Sequence, residues 1–269
     1  MTTKKVVCLL PLYLKDNPQY LYFAINSIIG EYCHVVVLCD GPITKQHEHV
    51  LEQLSGEISI LKFPNNRGLA AVLNDGIRYA FEQGYEFIAR MDADDISLPD
   101  RFEKQINFLR QHPDVDVVGG AIEEIDENGH PRGKIIRYPL THEECYRFFA
   151  KRDPLAHPAV LFRRRFFEKA GLYNEAYRKN QDTQLWYAGF KNGCIFANIP
   201  DVVLQFRITE DLFKSRRSGW NRAKKMLADR WKINRELNYG ASAYLFAIAM
   251  FVLTIMPSWI RKWAYQVFR

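Results

Sequence analysis

Three carboxylates fall within four residues at Asp92-Ala93-Asp94-Asp95. Ionised groups so close repel one another, and a cation among them removes that cost. Hard divalent ions such as Mg²⁺ and Mn²⁺ take carboxylate oxygens and keep substrate phosphates in their shell. The spacing therefore suits a metal–phosphate centre. It also suits a solvated turn in which Asp95 or Asp100 caps the next helix. Arg67-Gly68 is a second candidate, because a helix start favours anions and an arginine beside it suits a diphosphate; a surface arginine in a turn is the plainer reading. Asp40, before Gly41-Pro42, could accept hydrogen bonds from a base or ribose, or simply shape the turn. Tyr13, after Pro11, could stack on a base or pack as an ordinary aromatic.

The elements that must position these residues are legible in the first half of the chain. Val6–Leu10, Val35–Cys39, Ile58–Phe63, Phe87–Met91 and Val115–Gly119 are short and almost wholly apolar, as strands covered on both faces are. Tyr20–Ile29, Glu48–Leu54, Leu69–Gln83 and Asp100–Gln111 have helical patterns, with Gly84 as a stop signal after the third and Pro99-Asp100 opening the fourth. Strand–helix alternation predicts an α/β fold with right-handed crossovers and an open, mostly parallel doubly wound sheet carrying helices on both faces. Ligands of such sheets bind beyond the carboxyl ends of the strands. Those ends deliver Pro11 and Tyr13, then Asp40, then Asn65-Asn66-Arg67-Gly68, then the acidic cluster. Four successive strand ends thus aim polar, aromatic or charged groups at one edge.

After Gly120 the alternation breaks. A polar hairpin-like stretch turns at Asn128-Gly129. Strand candidates follow at Ala159–Phe162 and Val202–Phe206, with a helix candidate at Asp182–Gly189. Ser218–Asn238 reads as one long basic helix. Ala241–Met256 is nearly all apolar and stops at Pro257. The formal net charge of +6 is concentrated late: beyond Phe213, twelve Lys and Arg residues face only Asp229 and Glu236. A basic end suits nucleic acid, an anionic membrane surface or a phosphorylated lipid. The apolar run is shorter than the roughly twenty residues a membrane span needs, which favours a surface-lying or partly inserted anchor over a span; a helix buried on the rest of the protein is the alternative. The five cysteines form no C-x-x-C pair and read as buried free thiols. Met1–Leu10 lacks a cleavage site for a signal peptide, so the expectation is cytoplasmic, with peripheral attachment to the inner face of the cytoplasmic membrane.

Several segments together resemble the family-2 inverting glycosyltransferases of the GT-A fold: Leu9-Leu10-Pro11-Leu12-Tyr13, Leu38-Cys39-Asp40-Gly41, Asn65-Asn66-Arg67-Gly68-Leu69 with Asn74, and Arg90-Met91-Asp92-Ala93-Asp94-Asp95 continuing into Pro99-Asp100-Arg101-Phe102-Glu103-Lys104-Gln105. His157-Pro158-Ala159-Val160 and Gln181-Asp182-Thr183-Gln184-Leu185-Trp186 fit the acceptor half. The likeness spans roughly residues 5 to 210, and its order and spacing make it more specific than any one motif. More narrowly, the chain is similar to bacterial enzymes that build O-antigen or exopolysaccharide repeat units on a lipid carrier.

That resemblance implies a catalytic region over residues 1–212, with a nucleotide-sugar half (1–119) and an acceptor half (120–212), followed by a basic and apolar tail (213–269). It implies a nucleotide-sugar site of Pro11, Tyr13, Asp40, Arg67, Asp92, Ala93 and Asp94, with Asp40 and Tyr13 at the uracil and ribose. Asp94 would hold Mn²⁺ or Mg²⁺ with Asp95 in support, and Asp182 would be the catalytic base. His157, Gln181, Trp186 and Arg207 would meet acceptor or phosphate. The expected donor is a UDP-sugar, UDP-glucose or UDP-galactose first. The expected acceptor is a lipid-diphosphate-linked saccharide at the cytoplasmic membrane surface, with a β-linkage, β-1,3 first, and no nucleic acid. Two departures stand out: Gln181 replaces the family's usual Glu, and Arg207-Ile208-Thr209 lacks the usual His. A nucleotide- or nucleic-acid-binding protein using the basic helix is the rival reading, but it leaves the convergent strand ends unexplained. A metal-dependent nucleotidyltransferase is a second, weakened by the lack of a glycine-rich phosphate loop.

Overall fold

A computed structural model of the 269-residue chain describes residues 6–30, 32–209 and 220–256, without the side chains of 221 and 222. The chain divides into two compact units. The larger comprises residues 6–146 and 153–207 among those described, and the smaller 147–152, 208–209 and 220–256.

In the larger unit, β1 (Val6–Leu12), β2 (Cys33–Asp40), β3 (Ile58–Phe63) and β4 (Phe87–Arg90) pair in parallel in the order β3-β2-β1-β4. The crossover helices are α1 (Pro18–Ile28), α2 (Lys45–Gln53) and α3 (Leu69–Glu82). Local chemistry sets their starts. The Asn17 side chain accepts from the Gln19 N–H with Pro18 in the first turn, and Thr44 and His47 form a reciprocal capping box. Gly84 ends the third helix with φ of 73°. Helix α3 lies close on the sheet because Gly76 faces Leu9 and Leu38, where a Cβ would come within 2.9 Å of Leu38.

Beyond β4 the sheet changes character. The short β5 (Ile96–Ser97) leads to α4 (Arg101–Gln111) and β6 (Val117–Ile125), which extends the strand expected at Val115–Gly119. That strand does not lie beside β4. β8 (Leu161–Arg163) inserts between them and pairs antiparallel to both. β7 (Pro131–Ile136) forms the expected hairpin with β6, and the twelve-residue β9 (Phe196–Arg207) runs parallel to β6 and antiparallel to β5. The parallel pairing expected from the alternation holds over the first four strands and recurs between β6 and β9, and the described residues form a nine-stranded mixed sheet. The reason is that β8 arrives after a hairpin and α5 (His142–Phe149) rather than from a crossover behind β4. Helix α5 escaped the sequence reading although its capping signature is present: the Thr141 hydroxyl accepts from the Glu144 N–H, and the Glu144 carboxylate accepts from the Thr141 N–H. α6 (Arg164–Ala170), closed by Gly171 at φ 80°, also escaped it, whereas α7 (Gln181–Lys191) matches the helix expected at Asp182–Gly189.

Cys8, Cys33, Cys39, Cys145 and Cys194 form no disulfide and are buried. Burial pushes Cys39 up to about 11, and Cys145 and Cys194 up to about 12, which leaves them as unreactive thiols.

The smaller unit contains a helical hairpin, α8 (Trp220–Glu236) and α9 (Ala241–Ile255). The start of the expected basic helix at Ser218, the flanking Lys214, Arg216 and Arg217, and the terminal Trp259, Arg261, Lys262, Trp263 and Arg269 lie outside the described residues.

Candidate active site

Each parallel strand hands a side chain to the carboxyl edge of the sheet. β1 ends at Leu12, after the half-buried Pro11, and the exposed Tyr13 follows; its N–H donates to Asp16 Oδ2 at 2.7 Å. β2 ends on Asp40, which is buried. Its Oδ1 accepts from the Arg67 N–H at 2.6 Å, and its Oδ2 accepts from the Gly68 N–H at 2.9 Å and from Asn66 Nδ2 at 3.0 Å. Three of roughly four acceptor positions are thus spent on the turn that starts α3. The Arg67 and Gly68 N–H groups, just before the first residue of this helix, are thereby answered from within the protein. Arg67 is left exposed, paired with Asp75 and stacked 4.6 Å above the Phe63 ring. Gly68, at φ 92°, has no room for a side chain: a Cβ would sit 2.5 Å from Arg178 Nη1, which donates to Asn66 Oδ1 at 3.2 Å. Arg178 lies between α6 and α7, so a segment far along the chain closes over this turn.

β4 ends at Arg90, and the acidic loop follows. One oxygen each from Asp92, Asp94 and Asp95 lies within 4.8 Å of the others. Arg90, itself buried, grips Asp92 with both terminal nitrogens, Nη1 at 2.7 Å from Oδ2. Asp95 is almost wholly buried; its Oδ1 accepts from the Arg207 N–H at 3.0 Å, while Oδ2 has no protein partner. Burial, then Asp92 and Asp16, pushes the Asp94 carboxyl up to about 7. Burial, then Asp94 and Asp92, raises Asp95 well above the carboxylate range. Crowded carboxylates with a bare buried oxygen are the donor set a hard divalent cation relieves, so these residues fit Mn²⁺ or Mg²⁺. Ala93, between them, is buried.

At the start of α7, Asp182 follows Asn180, which adopts the left-handed conformation at φ 60°. Its Oδ1 accepts from the Thr183 N–H at 2.8 Å. Burial, then the charge of Asp153, pushes its carboxyl up to about 6. The Thr183 hydroxyl donates to both oxygens of Asp153, at 3.0 and 2.9 Å. Beside them, Gln181 Oε1 is buried without a partner. The positive charge of Arg90 opposes the upward shifts of Asp94, Asp95 and Asp182, and it adds to the lowering of His157. One guanidinium thus links the acidic loop with the start of α7.

Three expected acceptor contacts occupy other places. Trp186 is fully buried among His157, Phe162, Phe166 and Phe196, a core position that no acceptor reaches. His157 is buried, with Nε2 2.7 Å from the Tyr173 hydroxyl, and burial drives it well below the usual histidine range, so it is neutral. Arg207 is also buried. Its Nε donates to the Asp94 carbonyl at 2.8 Å, its Nη1 donates to the Asp126 and Glu127 carbonyls at 3.0 Å each, and its guanidinium lies 4.2 Å over Tyr20. It staples the acidic loop to the β6–β7 turn.

The sequence reading missed Arg90, Asp16, Asp153 and Tyr173 as members of this neighbourhood. Arg90 was visible only as the flank of a motif. Asp153 stands twenty-nine positions before Asp182, with no spacing pattern to join them. The Arg101-to-Gln105 segment proves to be scaffolding. Buried Arg101 donates to the carbonyls of Arg90 and Val160, and Gln105 donates to Ala159, which fastens α4 beneath the β4 end.

Residues 8–171 match the family model described as glycosyl transferase family 2. The chain is 34% identical over 218 residues to the amylovoran biosynthesis glycosyltransferase AmsE of Erwinia amylovora, covering 79% of each. It is 32% identical over 275 residues to an uncharacterized glycosyltransferase of Haemophilus influenzae, covering 98% of each. It is 29% identical over 219 residues to the UDP-Gal:alpha-D-GlcNAc-diphosphoundecaprenol beta-1,3-galactosyltransferase of Escherichia coli, covering 80% of this chain and 78% of that one. Among solved structures, S. aureus TarS 1-349 in complex with UDP-GlcNAc matches 95% of this chain and 82% of its own, with a TM-score of 0.63 at 14% identity. The mannosyltransferase PcManGT of Pyrobaculum calidifontis, in complex with GDP-Man and Mn²⁺, matches 91% and 73%, with a TM-score of 0.61 at 16% identity. At those identities the structures speak for the fold, which is GT-A. The matched region takes in the strand-end turns and the acidic loop, and with relatives named for exopolysaccharide and O-antigen synthesis the chain belongs to glycosyl transferase family 2.

Proposed function

We propose that this glycosyltransferase moves a hexose from a UDP-sugar, with UDP-galactose or UDP-glucose first, to a saccharide carried on a lipid diphosphate, in the synthesis of a bacterial surface polysaccharide. The observation that carries this reading is the gathering of Asp92, Asp94 and Asp95 with Asp182 around the buried Arg90. The likeness to the Escherichia coli beta-1,3-galactosyltransferase supports the choice of donor, acceptor and a β-1,3 linkage.

Asp94 and Asp95 would hold Mn²⁺ or Mg²⁺, which when bound neutralises charge on the departing nucleoside diphosphate. Asp92, oriented by Arg90, and Asp40 face the nucleotide, and the exposed Tyr13 offers a ring to the uracil. Arg67 adds positive charge at the same edge. Asp182, unprotonated, takes the proton from the acceptor hydroxyl. The new C–O bond forms at the anomeric carbon as the bond to UDP breaks on the opposite face, so an α-linked donor yields a β-glycoside. The neutral Gln181 supports this role, since a carboxylate there would add to the repulsion that Asp153 already exerts on Asp182.

The acceptor places the enzyme's work at the inner face of the cytoplasmic membrane. No helix among the described residues is long and apolar enough to cross a membrane, which accords with peripheral association. The test is a screen of nucleotide-sugars with Mn²⁺ and a synthetic GlcNAc-diphosphate-lipid. Inverted transfer from one UDP-hexose is expected; selective use of a non-UDP donor, or a product of retained configuration, would refute the reading.

A further inference from the structure

The smaller unit carries a helix built inside out. α9 contains no charged residue, and its inward positions are the small Ala243 and Ala247 together with Thr254, whose hydroxyl turns back to the Met250 carbonyl at 2.7 Å. Tyr244, Phe246, Met250, Phe251 and Leu253 are half-buried, and a further set of large apolar side chains points outward. Leu245 is 67% exposed, and Ile248, Val252, Ile255 and Met256 are exposed with it. The spacing of three, four and three residues keeps Leu245, Ile248, Val252 and Ile255 on a single face, and Met256 follows at the helix end. In a helix that only completes a core, the polarity is the reverse.

The partner helix supplies charge. α8 contains Arg222, Lys224, Lys225, Arg230, Lys232 and Arg235 against Asp229 and Glu236. Arg230 turns inward, donating to the Phe149 carbonyl at 2.9 Å, but Lys224, Lys225, Lys232 and Arg235 are exposed. Trp220 and Trp231 are about half exposed and bind the two helices together, Trp220 against Phe251 at 5.5 Å and Trp231 against Tyr244 at 4.9 Å. Half-exposed Trp beside Lys and an apolar helix face is the composition of a membrane–water interface. A second copy of the chain would have to bring two basic helices together, which like-charge repulsion opposes. With 15 residues, α9 is roughly 22 Å long, short of a bilayer's hydrocarbon core of about 30 Å.

We infer that the α8–α9 hairpin docks on an anionic bilayer, with Leu245, Ile248, Val252, Ile255 and Met256 entering the acyl boundary and the lysines of α8 at the headgroups. The inference deepens the reading of a membrane-linked acceptor and rests on that reading for its purpose.

The experiment is co-sedimentation of the full chain with phosphatidylglycerol-containing vesicles and with pure phosphatidylcholine vesicles, with UDP-sugar binding measured on the same samples. Wild type is expected to prefer the anionic vesicles and to be released in part by salt. Leu245→Glu/Ile248→Glu/Val252→Glu changes only exposed positions and should bind vesicles at least about a hundredfold more weakly. Lys224→Gln/Lys225→Gln/Lys232→Gln should lose the preference for anionic lipid. Both variants should bind UDP-sugar as wild type does, which separates lost docking from lost folding. Vesicle binding by the triple Glu variant at the wild-type level would overturn the inference. So would a wild-type dimer, measured by sedimentation velocity without lipid, that the triple Glu substitution splits. Failure of UDP-sugar binding alongside intact vesicle docking would count against the enzymatic reading and leave the docking standing.

Discussion

The carboxyl of Asp182, the proposed base, has two charged neighbours that act on it in opposite senses. Burial and the Asp153 charge raise its carboxyl to about 6, and Arg90 restrains the rise. A base must be unprotonated, so kcat is expected to rise with pH through about 6 and then level. Asp153→Asn removes the negative neighbour, and the rising limb should move to lower pH in a kcat–pH profile; an unmoved limb would separate Asp153 from the base. Asp182→Asn should lower kcat by about a thousandfold or more with UDP-sugar affinity preserved, measured by turnover and calorimetry. Near wild-type turnover would remove Asp182 from the chemistry. Asp40 shows a different economy, because its carboxylate builds the turn that any nucleotide contact would use.

The element that joins the two halves of the larger unit is α3. Asn74, buried on that helix, donates to the Tyr173 carbonyl at 3.0 Å and to Glu175 Oε1 at 2.8 Å, and its own oxygen accepts from the Tyr173 N–H at 2.9 Å. A single amide thus clasps the segment that carries Tyr173 and leads on to Asp182. Asn74→Ala leaves a buried N–H and carbonyl without partners and should cost about 2–3 kcal/mol in urea unfolding. It should also lower kcat more than it changes donor affinity, since the segment it frees belongs to the acceptor side. β8 has a comparable role in the sheet. By turning the pairing antiparallel between β4 and β6, it puts the His157–Ala159 turn and the start of α7 near the end of β4 instead of behind the sheet.

At the scale of the whole molecule, the acidic loop gathers negative charge in a chain whose net charge is positive. Asp16 from the end of β1, Asp92, Asp94 and Asp95 face Arg90 as the buried cation among them. Chelation by EDTA is therefore expected to abolish UDP-sugar binding, with recovery on adding Mn²⁺, measured by calorimetry. Undiminished affinity in EDTA would exclude a metal from donor binding. The vesicle experiment belongs to the same scale, because it asks whether the smaller unit brings the chain to the surface where a lipid-linked acceptor resides.

The first four strands, their helices and the residues at their ends were legible in the sequence because each rests on local chemistry. Apolar runs make doubly covered strands, Asn17-Pro18 and Thr44 start helices, and the topology of parallel strands brings Tyr13, Asp40, Arg67 and Asp92–Asp95 to one edge. Asp182 was legible only through the family pattern around it. The tertiary structure decided what distance along the chain conceals. It paired Arg90 with Asp92 and brought its charge to bear on Asp182, brought the charge of Asp153 to bear on Asp182, and set Arg178 over Gly68. It turned Arg207 and Trp186 from contacts into supports, because a side chain's burial depends on what packs over it and not on its own spacing. It also turned Leu245, Ile248, Val252 and Ile255 of α9 outward. Composition marked that helix as apolar; only its packing on α8 showed which face was left exposed.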